Sequence, residues 1–334
     1  MDLRFAFRGY AQAFRQPVRT AHGSWAERKG LYLRVDRPDG TSGLGEAAPL
    51  PDFGTETLEE ATAYCAALGG RIDAGVLAAV PARLVTVRSA LAQALATERP
   101  APRHTSLGVA ALLPAGRAAL EVGPRKADQG FRVFKWKVGV GHADDEMGML
   151  EDLVGALPGG SRIRLDANGS WNSRTAQRWL DRASGLPIEF VEQPVPHGAR
   201  GSRDQLMGLA ADFPVALALD ESIAGDGDVA VWLADGWTGF FVIKPLLLGD
   251  LAGTLAALAR AGARVVFSSS LETAVGARAA LGHAFAWPGT SHALGFGVWP
   301  LFGDARFDGP AAAPFMLAAD VERLDPEVPW NALN

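Results

Sequence analysis

From about residue 105 onward, short runs rich in Val, Ile, Leu and Phe alternate with Ala-rich segments of helical pattern, and few folds accommodate that alternation. The runs are TSLGVAALL, FRVFKWKVG, RIRLDAN, EFVEQPV, VALALDES, FFVIKPL, RVVFSSSLE and, more weakly, HALGFGVW. Between them, DDEMGMLEDLVGAL carries acids in its first turn, SRTAQRWLDRAS opens on Ser173 as an expected N-cap, and GTLAALARAGA and AVGARAALGHAFA are Ala-rich. Parallel strands joined by helices bury both kinds of segment, so eight strand candidates predict an α/β fold, a (β/α) barrel.

The first hundred residues have a different rhythm. KGLYLRVDRPDGTSGLGEAAPL reads as two strands around an Asp-Gly turn, and ETLEEATAYCAALGGRI and VPARLVTVRSALAQALATE read as helices. This predicts a separate α+β domain, with the boundary at the proline cluster RPAPRHT. A length of 334 residues fits two domains. The net charge of −5, with acids and bases interspersed, gives no surface for nucleic acid or an anionic membrane. The lone cysteine, Cys65, excludes an intramolecular disulfide, and no Cys/His cluster offers a zinc site. The N-terminal stretch mixes charges where a signal peptide needs a continuous apolar core, and no apolar run is long enough to span a bilayer. A cytoplasmic location is expected.

In FRVFKWKVGV the period of a strand sends Lys135 and Lys137 to one face, while Phe134 and Trp136 share the other. Taken alone, an antiparallel strand with a solvated face accounts for them, since exposed lysines are ordinary, and a sharper reading needs company elsewhere in the chain. In a barrel the functional residues gather at the C-terminal ends of the strands, and there Lys137, Asp166, Glu192, Asp220 and Lys244 follow one another at intervals of about one βα unit. Singly each has an ordinary explanation: Asp166 as a turn residue or cap, Glu192 as half of a structural ion pair, Asp220 as either. Together, three carboxylates converging on one spot need a cation, and an all-oxygen donor set selects a hard ion, Mg²⁺, with Mn²⁺ as a substitute. The lysines then flank the ion, and repulsion from Lys135 is expected to hold down the pKa of Lys137 so that it can take a proton.

FKWKVG, RLDANGSW, EFVEQPVP, LDES and FVIKP in this order, together with GLGEAAPLPDFGTET, resemble the enolase superfamily in its muconate-lactonizing-enzyme subgroup, over nearly the whole chain. The resemblance implies a modified TIM barrel, residues 101–304, with an N-terminal α+β capping domain, residues 1–100, completed by residues 305–334. It implies Lys137 as acid/base, Lys244 as the opposing catalytic cation, and Asp166, Glu192 and Asp220 as the metal ligands. Lys135, Arg164, Asn168, Ser268, Ser269 and Ser270 are expected to bind or support a small-molecule carboxylate substrate. Arg164 and VVFSSSLETAVG are similar to the subgroup's dehydratases, which remove water from a succinylated hydroxycyclohexadiene carboxylate in menaquinone synthesis.

The cap loops around AHGSWAER and PDFGTE, which set distal specificity in the family, match only loosely. No Asp-x-Asp pair follows the eighth strand, which argues against a dipeptide epimerase. Racemisation of an N-succinylamino acid stays open, since the same catalytic residues serve it. A Schiff-base lyase would leave three carboxylates unexplained, and a non-catalytic binding barrel would have no use for both lysines. In SSSLE the start of a helix either leaves backbone N–H groups free for a substrate carboxylate or is simply capped by a serine. Oligomeric state is not written in these patterns.

Overall fold

The computed structural model describes residues 3–20, 23–73 and 75–333. Its N-terminal part is an antiparallel sheet of four strands, β1 (Leu3–Thr20), β2 (Gly23–Asp36), β3 (Ser42–Ala47) and β4 (Arg71–Ile72), in the order β3-β2-β1-β4. The Asp39-Gly40 turn joins β2 to β3 as the sequence predicts. Three helices accompany the sheet, α1 (Leu58–Leu68) between β3 and β4, and α2 (Val76–Ala79) and α3 (Val85–Leu95) after β4. They share one core with the sheet through Leu31, Leu33, Val35, Ala61, Val87 and Leu91. Gly43 and Gly45 explain how closely α3 lies on β3. A Cβ at either would come within 2.1 Å of the carbonyl oxygens of Ala94 or Ala90.

The barrel strands are β6 (Ala111–Leu113), β7 (Val133–Lys137), β8 (Arg162–Asp166), β9 (Ile188–Glu192), β10 (Leu217–Leu219), β11 (Phe240–Ile243) and β12 (Arg264–Phe267), all parallel and in sequential order. The helices α4 (Ala118–Asp128), α5 (Ala143–Ala156), α6 (Ser173–Ala183), α7 (Ser202–Asp212), α8 (Asp226–Ala234), α9 (Leu251–Arg260) and α10 (Ala274–Phe285) alternate with them. TSLGVAALL divides. Its first part, β5 (Ser106–Gly108), pairs instead with the late strand β13 (Phe315–Leu317).

The eighth candidate, HALGFGVW, is not a regular strand. Parallel bridges at Val109 to Leu294 and at Ser268 to Gly295 stitch it between the first and last strands and close the ring. Glycine weakens a strand and permits close approach. A Cβ on Gly295 would come 2.6 Å from Ser268 Oγ, and one on Gly297 2.6 Å from the Ala110 carbonyl. A second correction concerns α6, whose N-cap is Asn172, accepting from the Thr175 amide at 2.9 Å; Ser173 is the first helical residue.

The C-terminal helices α11 (Ala318–Glu322) and α12 (Glu327–Asn331) return toward β1 and β2. Arg34 pairs with Glu327 at 2.6 Å, and Arg8 and Arg34 both lie over the Trp330 ring.

Strand alternation sorts the barrel side chains. Leu217, Leu219, Phe241, Ile243, Val265 and Phe267 pack outward in the main core, whereas Phe190, Ala218, Phe240, Val242 and Val266 form a separate interior cluster. Two residues on from an interior residue lies another interior position. That step leads from Phe190 to Glu192, from Ala218 to Asp220, from Val242 to Lys244, and from Val266 to Ser268.

Arg164 belongs to this interior floor. It is 1% exposed, its Nε donates to Glu189 Oε2 at 2.7 Å, its Nη1 donates to the Ala293 carbonyl at 2.8 Å, and its guanidinium lies 4.9 Å from the centre of Phe190. Burial works to raise the Glu189 pKa, but the His292 hydrogen bond and the Arg164 charge outweigh it and bring it from 4.5 to about 2. The sign follows: Glu189 contributes stability above its unfolded value, and this contribution is lost as pH falls toward about 2. Arg164→Met is expected to cost about 1.5–3 kcal/mol at neutral pH, because it takes a charged hydrogen-bond donor from the partly buried Glu189 carboxylate and leaves it His292 alone. Urea unfolding from pH 7 to pH 2 checks both points, the variant's deficit shrinking toward the acid end.

Candidate active site

Lys137, Asp166 and Glu192 are the last residues of β7, β8 and β9, and Asp220 and Lys244 directly follow β10 and β11. Strand register brings them together, since Lys137 stands beside Asp166 and Asp166 beside Glu192. The ends open into a cavity of about 280 Å³, lined by Lys135, Lys137, Asp166, Asn168, Asp220, Glu221, Lys244 and Ser268–Ser270. Trp25, Leu50 and Phe53 of the N-terminal part also line it. The cap loops read from the sequence therefore reach it, although Ala21 and His22 lie outside the described residues. A larger cavity, of about 700 Å³, lies between α3, α9, α10 and the C-terminal segment, and none of the strand-end groups faces it.

The three carboxylates do not converge directly, contrary to the expectation from their spacing. Lys135 Nζ lies between two of them, 2.7 Å from Glu192 Oε1 and 3.0 Å from Asp166 Oδ2, while Asp220 pairs with Lys244. Among the described residues no three His, Cys, Asp or Glu side chains stand close enough to share one ion in this arrangement. The chemistry of the donor set nevertheless fits a hard cation. Asp166 and Glu192 already hold one positive centre between them, Asp220 follows the next strand, and all the donors are oxygens. Asn168 Oδ1 and Glu221 Oε2 are buried beside them without partners. Asp220 would have to exchange Lys244 for the ion.

The three lysines are in different states. Burial disfavours the Lys135 ammonium, yet Asp166 and Glu192 together raise its pKa. Lys244 lies 4.7 Å from the centre of the Phe53 ring, and burial pushes its pKa down to about 7 against the attraction of Glu192. Lys137 is half-buried and, among the described residues, has no ion-pair partner; its pKa is lowered first by burial, then by Lys135, with Asp166 opposing. Repulsion from Lys135 thus acts as the sequence reading expects, but burial is the larger cause.

Two residues escaped that reading. Gln193, fully buried with a left-handed φ of 39°, uses Oε1 to accept from the Asp220 and Ser222 amides at 3.2 and 3.1 Å, which ties the ends of β9 and β10. Glu221 accepts from Asn168 Nδ2 at 3.0 Å, and burial beside Asp166 and Glu192 raises its pKa to about 7. Both sit next to a chosen carboxylate, in EQP and DES, which was the available signal.

Two placements differ from expectation. Arg164 lies beneath the cavity and outside its lining, because its guanidinium is spent on Glu189 and the Ala293 carbonyl. The serines line the cavity, but their amides are already used. Ser268 N donates to Ile243 O, Ser269 N to Gly295 O, Ser270 N to Glu272 Oε2 and Leu271 N to Ser269 Oγ. The carboxylate received at SSSLE is the chain's own Glu272.

The enolase C-terminal domain-like family model matches residues 118–314. An o-succinylbenzoate synthase from Thermosynechococcus vestitus is 42% identical over 303 residues, covering 89% of this chain and 92% of that one. Another, from Edwardsiella ictaluri, is 32% identical, covering 80% and 82%. The crystal structure of o-succinylbenzoate synthase from Thermosynechococcus elongatus BP-1, complexed with Mg in the active site, superposes with a TM-score of 0.80 at 37% identity, covering 98% of this chain and 99% of that one.

Proposed function

The chain belongs to the enolase C-terminal domain-like family, and from that premise we propose that it is an o-succinylbenzoate synthase, a dehydratase that turns succinyl-hydroxycyclohexadiene carboxylate into o-succinylbenzoate. The observation that carries the assignment of roles is the contrast among the lysines. Lys135 and Lys244 face carboxylates, while Lys137, whose pKa is lowered as that of Lys244 is, has no ion-pair partner among the described residues.

In this reading Lys137 removes the proton alpha to the ring carboxylate, and the electron pair moves into the carboxylate as an enediolate. Lys137, now an ammonium, returns that proton to the departing hydroxide on the same face, so that water leaves and the ring becomes aromatic. Lys244 stands across the site and, in its ammonium form, supplies positive charge there. Lys135 holds Asp166 and Glu192 in place. Asp166, Glu192 and Asp220 would hold Mg²⁺, or Mn²⁺ in its place, which would supply positive charge to the substrate carboxylate. The Mg-containing Thermosynechococcus structure supports that choice of ion. Menaquinone synthesis in the cytoplasm is the setting such an enzyme would have.

Incubating the purified chain and Mg²⁺ with the diene and, separately, with an N-succinylamino acid tests the reading. Loss of diene absorbance with a higher kcat/KM than racemisation is the expected result, and faster racemisation would overturn it.

A further inference from the structure

Glu272 lies three residues after Ser269 and is fully buried, outside the lining of the catalytic cavity. One of its oxygens, Oε2, accepts three hydrogen bonds: from Ser270 N at 2.6 Å, Ser270 Oγ at 3.0 Å and Ser269 Oγ at 3.1 Å. The other, Oε1, is buried with no partner. Between these residues Leu271 holds a left-handed φ of 62°, a conformation that persists in a non-glycine residue only when its surroundings impose it. Ser269 Oγ adds to that constraint by accepting from the Leu271 amide at 2.9 Å.

A second buried carboxylate reaches the same segment from the N-terminal sheet. Glu46, on β3, accepts from Thr273 N at 3.0 Å, Thr273 Oγ1 at 2.6 Å, Gly276 N at 2.8 Å and Tyr10 Oη at 2.6 Å. Tyr32 donates to Thr273 Oγ1 at 2.8 Å. Both carboxylates crowd Gly276, where an added Cβ would lie 2.9 Å from Glu46 Oε2 and 3.0 Å from Glu272 Cβ. Ser269 and Ser270, which wall the cavity, are therefore gripped from behind by Glu272 of the loop itself, and Thr273 and Gly276, just beyond them, by Glu46 of the cap.

We propose that Glu272 is a positioning residue for the substrate: it touches no substrate atom but fixes the Ser269–Ser270 wall of the cavity, within a seam that Glu46 ties to the cap. By taking both hydroxyl protons it leaves only oxygen lone pairs of Ser269 and Ser270 to face the cavity. Burial and the nearby Glu46 charge raise its pKa to about 7, and a neutral side chain of the same shape keeps an oxygen where Oε2 stands. The grip is accordingly geometric, and glutamine should reproduce it.

The kinetic half of this inference rests on the dehydratase reading. Glu272→Ala is expected to raise KM for the succinylated diene about 10- to 100-fold through displacement of the wall, with kcat within about threefold, because Lys137 is untouched. Hydrogen exchange of the Ser270 amide, followed by mass spectrometry or NMR, should accelerate in the same variant. Glu272→Gln should restore both KM and protection. An alanine variant with unchanged KM, a fall in kcat as large as the rise in KM, or a glutamine variant as damaged as alanine would each overturn the proposal. If alanine does not fold, Glu272→Gln decides: wild-type KM and protection support the grip, and loss of either refutes it. Amide protection needs no substrate, so a wild-type protein inert toward the diene would refute the dehydratase reading while the exchange data still judged the grip.

Discussion

Stripped of divalent cations by a chelator, the protein is expected to lose its turnover, and Mg²⁺ or Mn²⁺ should restore it. The reason is electrostatic. Removing a proton alpha to a carboxylate places a second negative charge on that group, and the cavity's own cations are committed: Lys135 to Asp166 and Glu192, Lys244 to Asp220. Charge stabilisation by a bound ion is worth several kcal/mol, which corresponds to a fall on the order of 10²–10³-fold or more when it is lost. Glu192→Gln should show the same loss together with weaker Mg²⁺ binding by calorimetry. Full activity in excess chelator would remove the ion from the account.

Lys137→Ala should be the most damaging single substitution in the lysine set. It removes the group that acts first as base and then as acid, a loss of about 10²–10⁴-fold or more in kcat. The fold should survive, since Lys137 is half-buried and has no ion-pair partner among the described residues. Lys244→Arg is the informative companion. Arginine keeps the positive charge opposite Asp220 but is a poor proton carrier at neutral pH, so dehydration should remain measurable. Racemisation, which needs a proton donor on each face of the substrate, should stop in that variant.

The strand-end residues were legible in the sequence because two short-range regularities coincide there. Strand alternation fixes which side chains turn inward, and the βα repeat fixes how far apart successive strand ends fall, so Lys137, Asp166, Glu192, Asp220 and Lys244 could be placed without a contact map. The failures are of two kinds. Alternation places Arg164 on the same face as Asp166, but it says nothing of depth, and the Glu189 carboxylate that claims Arg164 comes from a register irregularity between β8 and β9. Spacing along the chain puts the three carboxylates at neighbouring strand ends but says nothing of the ammonium groups between them, and the structure alternates the two charges, as interior electrostatics favours.

The serine wall was misread for a different reason. A serine followed three residues later by glutamate is itself a signal for an internal hydrogen-bonded turn, and Ser269 with Glu272 carries it. Glu46 was beyond reach of any local pattern. Its partners Thr273 and Gly276 lie 227 and 230 residues away, and only the docking of the cap sheet on α10 brings them together. The eighth strand was weak in sequence for the reason it is weak in the fold, its glycines admitting the neighbouring Ser268 and Ala110 at distances a side chain would block.

The assignment of Lys137 as the sole proton carrier is the claim on which the rest depends, and exchange of the substrate's alpha proton tests it most directly. The diene substrate is incubated in D₂O with Mg²⁺ and Lys137→Ala, and the alpha-proton signal is followed by NMR against a sample without protein. The account predicts that the signal persists as it does without protein. Exchange of that proton in the variant would show that another group, Lys244 foremost, is the base.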